Sequence, residues 1–158
     1  MRPLYSVLKN YHYSAKVVSG EDLYNEVGHD YLALQQQDSG YVNTCATRMG
    51  LALLKSGVKF AGRLTIRKGN LKGKKIETGA KLLSDQLSHA QAFGKPIIWQ
   101  DSVKFRRELG DKKGVVFFWK ITGYGGGHID LIEPSSAGFT CNSDCFFNCK
   151  EIWFWELK

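Results

Sequence analysis

Cys45 stands where a polar pair, Asn43-Thr44, gives way to the helical apolar pattern that runs through Met49, Ala52 and Leu53. That position puts its sulfur in the first turn of a helix. Unpaired backbone N–H groups and the positive end of the helix dipole favour a thiolate there, the form in which cysteine attacks a carbonyl. Far along the chain, Gly123-Tyr124-Gly125-Gly126-Gly127 runs into His128-Ile129-Asp130-Leu131-Ile132, a glycine-rich loop feeding a strand that begins with histidine. An imidazole beside the thiol would take its proton and later return it to a leaving amine, which is acyl transfer through a thioester. Each residue alone also reads as structural, since free cysteines are commonly buried packing residues and a histidine at a strand end commonly only packs. The pairing of the two is what points to catalysis.

The elements that must position this pair are legible in outline. Leu4, Val7, Leu8 and Tyr11 follow helical spacing and predict a short first helix. Val17 to Val42, with its scattered glycines and polar Gln35-Gln36-Gln37-Asp38-Ser39, reads as mostly loop with short elements. The cysteine helix is expected from Thr44 to Ser56, with Gly57 as its stop. Another helix is expected from a cap at Thr78 through Ala80, Leu83, Leu87 and Ala90 to near Gly94, with Pro96 just beyond. Three strands follow: Val115 to Ile121 after Lys113-Gly114, His128 to Glu133, and Glu151 to Leu157. The near-continuous apolar character of Val115 to Trp119 suits a central strand covered on both faces. Helices followed by strands argue for an α+β fold, and 158 residues suit one domain spanning 1–158.

Composition narrows the function classes. A chain that is 43% hydrophobic and 23% charged is not a mostly disordered one. No apolar run approaches the ~20 residues needed to span a bilayer, and Met1 to Asn10 has neither a long apolar stretch nor a small-residue cleavage site, so neither membrane insertion nor a secretory signal is expected. The net charge of +7 implies affinity for polyanions. Part of it is clustered in Arg63, Arg67, Lys68, Lys72, Lys74 and Lys75, interrupted by Gly69 and Gly73, which reads as an exposed basic hairpin or loop. A basic module binding single-stranded nucleic acid is the different-class alternative. Cys141, Cys145 and Cys149 crowd together at C-x3-C spacing, whereas zinc sites favour C-x2-C pairs, so no metal is expected. In an oxidising compartment a loop disulfide, most simply Cys141 with Cys145, accounts for the cluster.

A helix with cysteine followed by strands with histidine is the order of papain-like NlpC/P60 and CHAP-type amidases, in which the nucleophile helix packs on an antiparallel sheet. More narrowly, Tyr41-Val42-Asn43-Thr44-Cys45-Ala46-Thr47-Arg48-Met49 resembles the nucleophile motif of the fourth family of type VI secretion amidase effectors. Phe93-Gly94-Lys95-Pro96, Lys113-Gly114, Gly127-His128, the Cys141 to Cys145 cluster and the Phe154-Trp155-Glu156-Leu157 ending are similar to family features in family order. The resemblance implies a cofactor-free cysteine peptidoglycan amidase that cuts the murein peptide stem between γ-D-glutamate and meso-diaminopimelate. It implies an antibacterial toxin injected by the type VI machinery into the periplasm of a target Gram-negative cell, with no nucleic acid as partner, and a cognate immunity protein, commonly dimeric, as inhibitor. Injection needs no signal peptide, and the periplasm permits a disulfide. Carried over residue by residue, Cys45 is the nucleophile, His128 the general base and then acid, and Asp144 the carboxylate that orients the imidazole, with Asp130 and Asn142 as alternatives. Tyr124, Gly126 and Gly127 are the expected substrate-binding positions, and Trp119, Trp153 and Trp155 are expected in the core. A cysteine protease or deamidase toxin acting on a protein would use the same Cys45 and His128.

Overall fold

The computed structural model describes residues 1–158. In chain order it comprises α1 (Tyr5–Tyr11), α2 (Gly20–Glu26), α3 (Tyr31–Gln37), a 3-10 turn (Ser39–Val42), α4 (Cys45–Lys55), β1 (Leu64–Thr65), β2 (Lys75–Ile76), α5 (Ala80–Leu87), β3 (Ile97–Trp99), α6 (Ser102–Leu109), β4 (Lys113–Ile121), β5 (His128–Ser135), β6 (Gly138–Cys141) and β7 (Cys149–Leu157). β1 and β2 form a small antiparallel hairpin, and the other five strands form an antiparallel sheet in the order β3-β7-β4-β5-β6.

The central strand is covered on both faces, as its apolar run predicts. Side chains alternate across a strand, so Val115 and Phe117 of β4 join Ile129, Leu131, Trp153 and Trp155 on one face, beneath Leu8 of α1, Met49 and Leu53 of α4, and Leu83 and Leu87 of α5. Val116 and Phe118 join Ile132, Ile152 and Phe154 on the other face, where Phe105 and Leu109 of α6 lie over them. A third cluster packs Leu51 of α4 against Leu23, Tyr24, Ile66 and Ile76. The cysteine helix is therefore enclosed on two sides, and every residue from Cys45 to Leu53 is buried.

Several elements differ from the sequence expectation. The stretch expected to be mostly loop holds α2 and α3, each with a side-chain cap: Ser19 accepts from Asp22 N–H and Asp30 from Ala33 N–H. α5 is capped at Gly79 rather than Thr78 and stops at Leu87. β3, α6 and β6 have no counterpart in the sequence pattern. The basic cluster lies on the β1–β2 hairpin and its turn, with all six cationic side chains exposed.

Candidate active site

Cys45 opens α4, and its thiol is buried at 6% exposure. The residue before it, Thr44, does not cap the helix: its Oγ1 instead accepts from Arg48 Nε at 2.8 Å. The first intrahelical backbone bond runs from Arg48 N–H to Thr44 O. The N–H groups at the start of α4 are thus left to the site, apart from a 3.4 Å approach of Cys45 N–H to Asn43 Oδ1.

His128 opens β5 from the partner side. Gly127 O lies 4.0 Å from the Cys45 sulfur, and a side chain at Gly127 would run into the Phe117 ring beneath it. Glycine here lets the strand entry sit directly against the nucleophile helix. The imidazole is hydrogen-bonded to Asp130 through Nε2 at 2.8 Å, which leaves Nδ1 as the nitrogen open to a thiol. Phe146 packs edge-on against the ring at a centroid distance of 4.8 Å and Phe118 stacks at 6.3 Å.

Burial alone would pull His128 toward the neutral form. The hydrogen bond to Asp130 and the neighbouring Cys45 and Asp130 side chains outweigh it, and the imidazole is pushed up to about 10. Asp130 has no exposed surface. Burial would raise it, yet the bond to His128, the nearby His12 and the Asp144 N–H together hold it below the usual carboxylate range. The chain supplies most of its partners: Oδ1 accepts from Leu131 N–H at 2.8 Å, and Oδ2 accepts from Ser143 and Asp144 N–H, each at 3.0 Å.

The expected orienting residue, Asp144, does not reach the imidazole. Its side chain is exposed, and only its backbone N–H takes part, as a donor to Asp130. Asn142 is also turned away, donating through Nδ2 to His12 Nδ1 at 2.7 Å. Neighbours at i and i+2 on a strand rarely meet head to head, which is the ground for expecting Asp144 rather than Asp130. Here His128 lies at the free end of β5 and leans along the strand, closing the gap to Asp130. The loop after β6 wraps the carboxylate with its backbone rather than supplying one. Cys141 and Cys145 are joined in a disulfide with Cα atoms 5.3 Å apart, closing the loop that carries the Ser143 and Asp144 N–H groups, while Cys149 remains a free thiol.

His12, Ser14 and Arg48 support the site and were not picked out from sequence. Ser14 Oγ donates to Asn142 O at 2.6 Å, and Ala15 N–H to Ser143 Oγ at 2.9 Å, bracing the loop that holds Asp130. Burial drives His12 down to about 4. Arg48, 3% exposed, donates to the carbonyls of Tyr13 and Val18 as well as to Thr44. An arginine within the buried run of a helix was the available signal.

Tyr124 bridges the mouth of the site, its hydroxyl accepting from Asn43 Nδ2 at 2.6 Å. On either side of this bridge lies a cavity. One, of about 290 Å³, contains Arg63, Thr78, Lys81 and Trp119, and the other, of about 470 Å³, contains Val42, Ile121, His128 and Phe146; Asn43, Tyr124 and Gly127 line both. Gly126 lines neither, and its backbone sits against the Tyr124 ring. Trp153 and Trp155 lie in the core, whereas Trp119 packs on it and also faces the smaller cavity. No three His, Cys, Asp or Glu side chains are grouped to hold a metal ion, and no helix is long and apolar enough to cross a membrane.

A helix that presents a cysteine to a histidine at the start of an antiparallel strand defines the papain-like fold of NlpC/P60 type. Residues 41–155 match the family model of type VI secretion system amidase effector protein 4, and the chain belongs to that family. Among solved structures it is similar to the type VI effector Tae4 from Enterobacter cloacae, with 22% identity and a TM-score of 0.74 over 100% of this chain and 98% of the other. It is also similar to the Tae4–Tai4 effector–immunity complex of the same organism, with 20% identity and a TM-score of 0.73 over 100% of both chains. A third likeness is to Tae4 from Salmonella typhimurium in complex with the Enterobacter cloacae immunity protein Tai4, with 18% identity and a TM-score of 0.72 over 99% and 100%. No curated protein matches the sequence.

Proposed function

We propose that this amidase effector is a cysteine-dependent peptidoglycan amidase, one domain spanning 1–158, that hydrolyses the γ-D-glutamyl–meso-diaminopimelate bond of the murein peptide stem. The observation that carries this reading is the convergence of Cys45 at a helix start, His128 against it and buried Asp130 behind the imidazole. With Asp130 charged and His128 pushed up to about 10, an imidazolium is stabilised next to the sulfur, so that a proton taken from the thiol is held by the ring during attack.

In the first step the thiolate attacks the γ-carbonyl carbon, forming a C–S bond, and the oxygen takes up negative charge. Backbone N–H groups at the start of α4, Cys45 included, lie where they can stabilise that oxyanion. As the C–N bond breaks, His128 gives its proton to the departing amine of diaminopimelate. Water then attacks the thioester as His128 takes one of its protons, the C–S bond breaks to return the thiolate beside the imidazolium, and the product γ-carboxylic acid gives its remaining proton to solvent and leaves as the carboxylate. Asp130 holds the ring and stabilises the imidazolium in both steps.

The family places the protein in the type VI secretion system. Injection into the periplasm of a competing Gram-negative cell fits both the Cys141–Cys145 disulfide, which persists in an oxidising compartment, and an anionic wall as the target of a basic protein. The related structures determined as Tae4–Tai4 effector–immunity complexes support a cognate immunity protein as inhibitor of this chain. Mass spectrometry of fragments released from purified Gram-negative peptidoglycan tests the reading. Peptides beginning at meso-diaminopimelate should appear with wild type and vanish with Cys45→Ala. Release that survives in Cys45→Ala refutes the cysteine mechanism, and no release by folded wild-type protein refutes the substrate.

A further inference from the structure

The two cavities beside the Asn43–Tyr124 bridge differ in chemistry. His128, the group that hands a proton to the leaving amine, lines only the larger one, together with Val42, Ile121 and Phe146. A general acid stands on the side of its leaving group, so the amine portion of the substrate departs into that apolar cavity. The acyl portion then lies on the other side of the bridge, where two cations, Arg63 and Lys81, line the smaller cavity together with one carboxylate, Asp38, which accepts from Gly40 N–H at 2.8 Å.

Arg63 is not a loose surface cation. Its Nε donates to Glu77 Oε1 at 3.1 Å and its Nη2 to Glu77 Oε2 at 2.9 Å. Glu77 itself is 5% exposed and also accepts from Gly79 N–H at 2.7 Å. A Cβ at Gly79 would come within 3.0 Å of Arg63 Nη2 and 3.2 Å of Glu77 Oε2, close enough to press on the clamp by a few tenths of an ångström. Held this way, the guanidinium is fixed in orientation while Nη1 makes no hydrogen bond within the protein. Lys81 adds a second cation to the same cavity, tethered to Asp85 at 2.8 Å and lying over the Trp119 ring at 5.6 Å. A preorientated arginine edge with an unused N–H group is suited to a carboxylate.

We infer that Arg63, clamped by Glu77 and supported by Lys81, forms a carboxylate subsite on the acyl side of the scissile bond, which recognises the free α-carboxylate of a γ-linked glutamyl residue. This rests on the amidase reading above and deepens it. In a γ-glutamyl bond the free α-carboxylate stands three carbons from the reacting carbonyl, a separation that a residue without a second carboxylate, or one whose α-carboxylate is amidated, cannot supply. The subsite therefore selects a glutamyl residue with a free carboxylate on the acyl side.

The experiment compares two soluble stem peptides cut at the same bond, L-Ala-γ-D-Glu-meso-diaminopimelate and its analogue with the glutamyl α-carboxylate converted to a carboxamide. The readout is the ratio of kcat/KM for acid over amide, measured within one preparation, so that any unfolded fraction cancels. Wild type should favour the acid by about tenfold or more, the scale of one charge-assisted hydrogen bond. Arg63→Gln should bring the ratio close to one, and Lys81→Met, which leaves buried Glu77 paired, should lower it in the same direction. A wild-type ratio near one, or a ratio unchanged in both variants, overturns the subsite while leaving the amidase reading intact. If wild type cuts neither peptide, the amidase reading fails and the subsite fails with it.

Discussion

Replacing Asp130 by Asn separates the observed arrangement from the one expected from sequence. The carboxylate has no exposed surface and accepts from His128 Nε2 at 2.8 Å, Leu131 N–H at 2.8 Å, and Ser143 and Asp144 N–H at 3.0 Å. An Asn side chain keeps the shape but loses the charge, and its amide group, wherever it points, faces at least one of those donors. Losing a charge-assisted hydrogen bond to an imidazolium costs about 2–3 kcal/mol, which is about 30- to 150-fold in rate when it is lost in the transition state. A wrong imidazole tautomer can deepen this to about 10⁴-fold, as in the serine-protease triad. The expected loss for Asp130→Asn is therefore about 10² to 10⁴ in kcat, with KM little changed. Folding should weaken by about 1–3 kcal/mol because buried N–H groups lose an acceptor. Asp144→Asn keeps the backbone N–H that reaches Asp130 and alters only an exposed side chain, so its kcat should stay within about twofold of wild type. The assay is steady-state release of diaminopimelyl peptides from a soluble stem substrate, with urea unfolding of each variant to separate kcat from folded fraction. Comparable losses in both variants, or an Asp130→Asn enzyme within threefold of wild type, would refute the orienting role of Asp130.

Stability should peak near pH 6.5. His128 is raised from 6.5 to about 10, so its contribution is complete below 6.5 and is lost as pH rises toward 10. His12 is lowered from 6.5 to about 4, so the unfolded chain takes up a proton that the folded protein refuses, and stability is lost as pH falls from 6.5 to 4, by about 3 kcal/mol. A melting temperature that is flat between those limits refutes this assignment. Thiol labelling at pH 7 should modify Cys45 and spare Cys149, which burial pushes up to about 11, leaving about one part in 10⁴ as thiolate; peptide mapping that finds Cys149 labelled as fast as Cys45 contradicts it. Arg48→Met removes three donated bonds and strips the Tyr13 and Val18 carbonyls of their partner, so urea unfolding should show a loss of about 3 kcal/mol, and a loss under 1 kcal/mol would show that the arginine does not hold that segment. Met49→Ala, at a fully buried position of α4 packed on the sheet, should cost about 2–5 kcal/mol, measured in the same way.

The parts of this site legible in the sequence are those written in local pattern. Cys45 could be placed at a helix start because a polar pair precedes an apolar period, and β4 could be placed at the sheet centre because Val115-Val116-Phe117-Phe118 has no polar face. What was not legible depends on which direction a side chain leans and on where a loop's N–H groups point. Asp130 and Asp144 are both carboxylates near His128 in the fold. The choice between them turns on the lean of one imidazole along β5 and on a disulfide-closed loop that offers Asp130 its backbone. Spacing carries neither fact. The same holds for Arg63, one of six cations on a hairpin that reads as a solvated surface, until Glu77 and Gly79, in the segment between β2 and α5, fix its orientation at the groove. A charge becomes specific when a buried partner holds it. That partner lies fourteen residues away, in a segment with no motif of its own, so the strongest specificity determinant proposed here is the one the sequence marks least.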